Sequence, residues 1–419
     1  MPLIDRFLLG IKGVLEHVEI LNRKRGEAAS SPRVATIYRD ELILNMVTLC
    51  FFLTIHSVVP YLSQYAVEIG ATEAAVALLG PFFALSALTI RPLSGILADR
   101  GWTKRLLAIG AVTSAAAQAV YFIASGPELL YVGRLIQGAA VALFIPASFQ
   151  AASIGSRETV ISSLAWRSTV IGVSFALGPA IGGYIVTHLG YRALFIFSTT
   201  MALSASILSL MINSAKLSRP VVSIDSDEKS LGFMSAGFIT ALASLLLYSS
   251  VYASMTLFLP AYHKEAGMGA SYIAIFFTGI AVSSLVSRIT FTYVLRVISV
   301  EGTAILGMIL LSMGYILVSI DPLSHSILYY GIIAGIGSGL AIPSLQVMAI
   351  TGVPQRRRGT ASAIYTAMFD LGNMTGPIMI ASIAKTYRDM IGISSYASLV
   401  ALMPIAFLQM LRLKRSLNK

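Results

Sequence analysis

Charge is scarce in this chain: 12% of its 419 residues are Asp, Glu, Lys or Arg, against 56% that are hydrophobic. That shortage excludes an ordinary soluble fold, in which about a quarter of residues are charged, and makes lipid the expected solvent. Acidic residues are fewer still, 19 against 30 basic ones, for a net charge of +11. The excess does not point to nucleic acid. The basic residues gather at Arg23 to Arg25, Arg100 to Arg105, Arg356 to Arg358 and Arg412 to Lys419, in the breaks between apolar segments, as the positive-inside pattern requires. The single cysteine, Cys50, excludes an internal disulfide and reads as a small buried apolar residue. The five histidines are dispersed, and neither HExxH, a serine nucleophile elbow nor a nucleotide-binding lysine loop occurs. No enzymatic activity, metal site or cofactor is expected.

What the chain has is long apolar runs, at 42–66, 75–97, 105–124, 129–151, 161–186, 193–212, 232–259, 270–292, 302–320, 325–349, 360–383 and 394–411. Each is long enough to cross a hydrocarbon core of roughly 30 Å. The expected fold is therefore an all-α membrane protein of twelve transmembrane helices. Residues 1–40 carry too much charge for a signal peptide or a span, but Leu3, Phe7, Ile11, Val14, Val18 and Leu21 recur at helical spacing. An amphipathic helix on the inner leaflet is expected there, with a plain solvated tail as the alternative. A polar break at 213–231 separates a first six-helix half (41–212) from a second (232–411), ahead of a basic tail at 412–419. Lys and Arg concentrate after even-numbered runs, so both termini and the connector are assigned to the cytosol, in a multi-pass protein of the cell membrane.

Three motifs carry a resemblance. GILADRGWTKR (Gly95 to Arg105) follows the second run, RLIQG (Arg134 to Gly138) lies in the fourth, and GVSFALGPAIGG (Gly172 to Gly183) lies in the fifth. From about residue 40 to 411 the chain resembles the major facilitator superfamily, and its fifth-helix motif resembles that of the exporter branch. The resemblance implies a cytosolic gate formed by Gly95, Asp99, Arg100, Lys104 and Arg105, with topology anchoring as the plainer reading. Gly95 is expected to permit close helix approach, and Trp102 stands where the family usually has glycine. Gly172, Gly178, Pro179, Gly182 and Gly183 are expected to be a helix-packing surface before they are a site. The matching segment after the eighth run, SLVSRITFTYVLR, supplies Arg288 and Arg296 but no acid, so the gate is expected to differ between the halves.

Charges inside spans are expensive and face protein or water, which makes each a functional candidate. Asp370 is the most central carboxylate, a candidate for proton coupling or substrate contact, with a permanent ion pair as the alternative. Arg134, His56 and Arg167 join it, and Asp370, His56 or a helix carbonyl is the expected partner of Arg134. Arg167, Arg91 and Arg288 lie close enough to helix ends for their heads to reach water, with entry into an anion-binding cavity as the alternative. Tyr365 and Phe369, preceding Asp370 on the same run, are candidate cavity aromatics. The favoured function is a proton-coupled secondary transporter exporting a small amphipathic organic compound or metabolite by alternating access. It is expected to be driven by the proton gradient, to meet only substrate, protons and lipid, and to work as a monomer. The alternatives are proton-coupled uptake of an organic anion or polar metabolite, and a transporter-like receptor.

Overall fold

A computed structural model describes residues 32–152, 157–213, 235–351 and 358–417. The amphipathic helix expected before residue 32, the connector beyond Asn213 and the side chains of the basic tail lie outside the described residues. Every regular element among the described residues is helical.

The first span is bent. Helix α1 (Pro32–His56) gives way to α2 (Val59–Glu68) where Pro60 removes a backbone donor, a loss tolerated in the first turn of a new helix. The second span is α3 (Glu73–Ala77), capped by the Thr72 hydroxyl, followed by α4 (Leu79–Leu97). A π turn (Ala98–Trp102) leads into α5 (Thr103–Ile123), and α6 (Pro127–Ala152) makes the fourth span. In α7 (Arg157–Leu210) the chain turns at Gly190, whose φ of 82° suits glycine; its two arms are the fifth and sixth spans. The second set comprises α8 (Ala236–Glu265), α9 (Ala270–Val294), α10 (Val300–Ile320), α11 (Ile327–Thr351) and α12 (Arg358–Ile383). Helices α13 (Tyr387–Val400) and α14 (Met403–Leu417) form the last span. Among the described residues ten stretches are long and apolar enough to cross a bilayer. The one from Thr169 to Leu210 contains the Gly190 turn and counts twice. Helix α12, made less apolar by Asp370 and Asn373, completes twelve.

The two sets repeat one another in detail. Gly70 and Gly267, both at positive φ (84° and 73°), turn the chain after the first span of each set, 197 residues apart. At the same spacing α3 and α9 begin at Glu73 and Ala270, and α5 and α10 begin and end together, each 21 residues long. A methyl group on Gly138 would run into the Phe83 carbonyl and the Ser86 hydroxyl; on Gly335 it would meet the equivalent Ile280 carbonyl and Ser283 hydroxyl. The repeat is thus written in the small residues where helices touch. By the fifth and eleventh spans the spacing is one residue longer, matching Gly178-Pro179 to Gly376-Pro377.

Between the sets, α7 packs on α9, α4 on α12, and α2 on both α8 and α9. A Cβ on Gly183 would stand 2.6 Å from that of Ala274, and one on Gly80 would stand 3.0 Å from the Asn373 carbonyl. At the Glu68 end the sets are tied by Lys264 Nζ, 2.6 Å from Glu68 Oε2, which also lies 5.6 Å from the Tyr191 ring. At the other end the π turn packs on α4, α5 and α6 of its own set, while Arg100, Gly101, Trp102 and Arg105 are exposed. Among the described residues an ion pair thus ties the sets at the Glu68 end, while the π turn has its main contacts within its own set.

Candidate functional site

Helix α12 is wedged between the sets because it has almost no side chain on the faces that touch them. Extra atoms on Gly372 or Gly376 would strike Ser249 or the Ser250 backbone of α8, while Gly80 brings α4 close on the other side. This aims Asp370 at α4. There Arg91 Nη1 donates to Asp370 Oδ2, and Nη2 approaches Oδ1 at 3.5 Å. The Asp370 side chain is 8% exposed and that of Arg91 24%, so the carboxylate is withdrawn from solvent while the guanidinium keeps one edge open. Ser94 fixes the Arg91 turn by hydrogen-bonding both the Arg91 carbonyl (2.9 Å) and, across to α6, the Ala142 carbonyl (2.5 Å). The pair joins the two sets of six, so any relative movement of the sets there must stretch or break it.

Arg134 is therefore not the partner of Asp370, as the sequence reading had allowed. Its Nε donates to the Leu79 carbonyl (2.8 Å) and its Nη1 to Gln137 Oε1 (2.7 Å), which also accepts from Tyr121 (3.1 Å); the guanidinium lies 4.6 Å from the Phe83 ring. Buried and held within its own set, it acts as a tether of α6 to α4. Nor does His56 meet Arg134, whose helix-carbonyl partner is Leu79. Its Nδ1 lies 3.1 Å from Ser174 Oγ, and that hydroxyl gives its own proton to the Ile171 carbonyl, so the imidazole N–H is the donor. Arg167 donates to Ser148 Oγ from Nε (3.1 Å) and Nη2 (2.9 Å). Tyr365 is buried and donates to the Ile342 carbonyl (3.2 Å), whereas half-buried Phe369 faces Tyr252 with centroids 6.3 Å apart. The structure brings Phe369 and Asp370 together by sequence alone and leaves Arg134, His56 and Arg167 at separate places in the first set.

The fifth-span glycines sit at helix contacts. Gly178 and Gly182 face His56, Ser57 and Tyr61 of the first span, Gly172 faces Leu285, and the Pro179 carbonyl accepts from Tyr61. Gly95 corrects its expectation: nothing lies within 4 Å of a Cβ placed there, because neighbouring Ser94 is the residue turned onto α6. The turn itself survives Trp102. The positive φ (85°) falls on Gly101, so glycine is needed one position before the indole, which instead stacks 5.0 Å from the Arg105 guanidinium. Arg100 and Arg105 are exposed and Lys104 is half-buried. The side chain of Asp99 lies outside the described residues.

The partner that sequence reasoning passed over is Arg91. Its place near a helix end reads as a head reaching water or entering an anion-binding cavity, with no carboxylate named as its partner. The signal that could have found it is the repeat, since Arg91 and Arg288 occupy equivalent positions in the two sets.

The family model described as Major Facilitator Superfamily matches residues 44–377. The chain is 24% identical over 346 residues to Multidrug resistance protein 1 of Bacillus subtilis, covering 78% of this chain and 85% of that protein. It is 28% identical over 162 residues to Quinolone resistance protein NorA of Staphylococcus aureus, a match covering 38% of this chain and 42% of NorA. A crystal structure of a mutant of the nucleoside transporter NupG superposes with a TM-score of 0.70 at 16% identity, over 88% of this chain and 99% of that one, which shows the fold alone. The helices, their repeat and these matches together place this multi-pass membrane protein among the transporters of the major facilitator superfamily.

Proposed function

We propose that this transporter exports a small amphipathic organic compound across the cell membrane in exchange for protons, by alternating access, as a monomer with both termini in the cytosol. The Arg91–Asp370 pair is the observation that carries the reading. A carboxylate held in a low-dielectric seam is stable as an anion only while its cation stays in place, and a proton replaces the cation when the sets move apart. Protonation of Asp370 and separation of α12 from α4 thus favour each other, which is what coupling requires. Sequence likeness to a multidrug and a quinolone resistance protein supports an organic cargo and outward transport. No cofactor enters the cycle; the proton gradient drives it.

The test is flux in vesicles reconstituted with the full chain, with and without a proton gradient, across lipophilic cations, neutral amphiphiles and organic anions. Wild type should move at least one amphiphile against the proton flow, and Asp370→Asn should lower gradient-driven flux about tenfold or more while substrate binding changes less than about threefold. Unchanged flux in Asp370→Asn removes the coupling role. Movement of cargo only in the same direction as protons selects proton-coupled uptake.

A further inference from the structure

Arg288 is the repeat equivalent of Arg91, but its surroundings are reversed. Counting by the Gly-Pro match of the fifth and eleventh spans, Gly172 stands in the first set where Asp370 stands in the second. The second arginine therefore has no carboxylate at the position that neutralises the first. Among the described residues Arg288 makes neither an ion pair nor a hydrogen bond that would occupy its guanidinium. The lipid-facing stripe of α9 is Val282, Val286, Ile289 and Tyr293, all well exposed. Arg288 lies off that stripe, one turn beyond Ser284 and two beyond Ala281, both buried. It is nevertheless exposed. Its guanidinium is therefore accessible on a face turned away from that stripe. Leu285, one turn before Arg288, meets Gly172 across the boundary between the sets, and Tyr248 and Tyr252 on α8 and Tyr365 on α12 lie within electrostatic range of the Arg288 guanidinium. Tyr248 and Tyr252 lie nearly parallel at 6.1 Å, and Tyr252 continues to Phe369.

We propose that Arg288 binds an anionic group, a carboxylate on an aromatic body, of the transported compound, with Tyr252 and Phe369 flanking the body. The assignment rests on the exporter reading and names its cargo: an aromatic amphiphile with one acidic end. A planar guanidinium free of other carboxylates offers paired donors matched to a carboxylate, and aromatic walls exclude water from that contact. Arg91 cannot serve while Asp370 holds it.

The experiment measures binding of 2-naphthoate and of its uncharged amide, 2-naphthamide, to the full chain in lipid nanodiscs at constant ionic strength. Wild type should bind the carboxylate about tenfold more tightly, and Arg288→Gln should erase that preference while amide affinity stays within about twofold. Equal affinity for the two probes in wild type, no binding of 2-naphthoate at millimolar concentration, or a preference that survives in folded Arg288→Gln overturns the proposal. If Arg288→Gln is recovered aggregated, Arg288→Lys decides: a carboxylate preference that is reduced by loss of the paired donors but still present supports the site, and one abolished outright overturns it. Binding needs no gradient. An intact carboxylate preference without proton-linked flux therefore removes the exporter reading and leaves the site, and the reverse result removes the site alone.

Discussion

In the first set of spans the Arg134 guanidinium reaches the Leu79 carbonyl; at the equivalent place in the second set, Gly331 packs its own backbone against the Phe276 carbonyl. The same joint between the second and fourth spans of each set is closed by an arginine in one and by bare backbone in the other. A second contrast runs the same way. Arg167 ties the fifth span to the fourth through Ser148, while Tyr365, its equivalent, ties the eleventh to the tenth through the Ile342 carbonyl. The third is the pair of arginines, Arg91 neutralised across the interface and Arg288 not. The scaffold is duplicated, then, and the charges are not. A symmetric scaffold lets the two sets rock about a shared seam, and asymmetric charges give the two sides of that seam different work.

The largest effect that would break this comparison is at Arg134. Arg134→Gln removes two charge-assisted hydrogen bonds and leaves the Leu79 carbonyl and Gln137 short of donors in a buried site. It should destabilise the purified protein by about 3 kcal/mol or more. Gly331→Ala probes the other joint by overpacking and should cost about 1–3 kcal/mol. Thermal unfolding of both variants in the same detergent checks the order. If Arg134→Gln is as stable as wild type, the arginine is not a tether and becomes available for coupling.

The next effect concerns the inter-set pair. Arg91 is partly exposed, so losing it is softened by water, and Asp370→Asn or Arg91→Gln should each cost about 1–3 kcal/mol. The double variant should cost less than the sum, because neither leaves a charge stranded once both are gone. Distances between labels on α4 and α12, measured by pulsed electron resonance, should broaden in either single variant. Additive losses with unchanged distances would show that the pair is ornamental to the seam.

How much of this was legible beforehand follows from what each feature depends on. Span number and order are set by apolar run length, and the turn between the fifth and sixth spans was placed between 186 and 193, where Gly190 makes it. The exceptional character of Asp370 was legible too, since a lone carboxylate in an apolar run is conspicuous at any register. Its partner was not, because Arg91 lies 279 positions away and only the packing of α4 on α12 brings them together. Gly95 misled for a related reason: a glycine shows that helices can approach, and its neighbour Ser94 is the one that does. The repeat was hidden because it lives in scattered small residues such as Gly138 and Gly335, whose meaning emerges when their contacts are compared.

The smallest expected effect sharpens the third contrast. If Gly172 is the vacancy opposite Arg288, then Gly172→Asp should supply the missing carboxylate and build in the first set a copy of the pair found in the second. The Cβ would stand 2.9 Å from the end of the Leu285 side chain, a flexible neighbour that can turn aside, so the variant should fold. A carboxylate near Arg288 would compete with an anionic ligand, lowering 2-naphthoate affinity about threefold to tenfold and leaving 2-naphthamide nearly unchanged, a difference of roughly 1 kcal/mol. Gly172→Asn is the control: it has nearly the same volume without the charge, and should leave naphthoate binding close to wild type. A loss as large in the asparagine variant would assign the effect to bulk at the α7–α9 contact. Loss only with aspartate, and a much smaller loss when the same change is made in the Arg288→Gln background, would fix the two arginines as equivalent sites, one filled by the protein's own acid and one left for cargo.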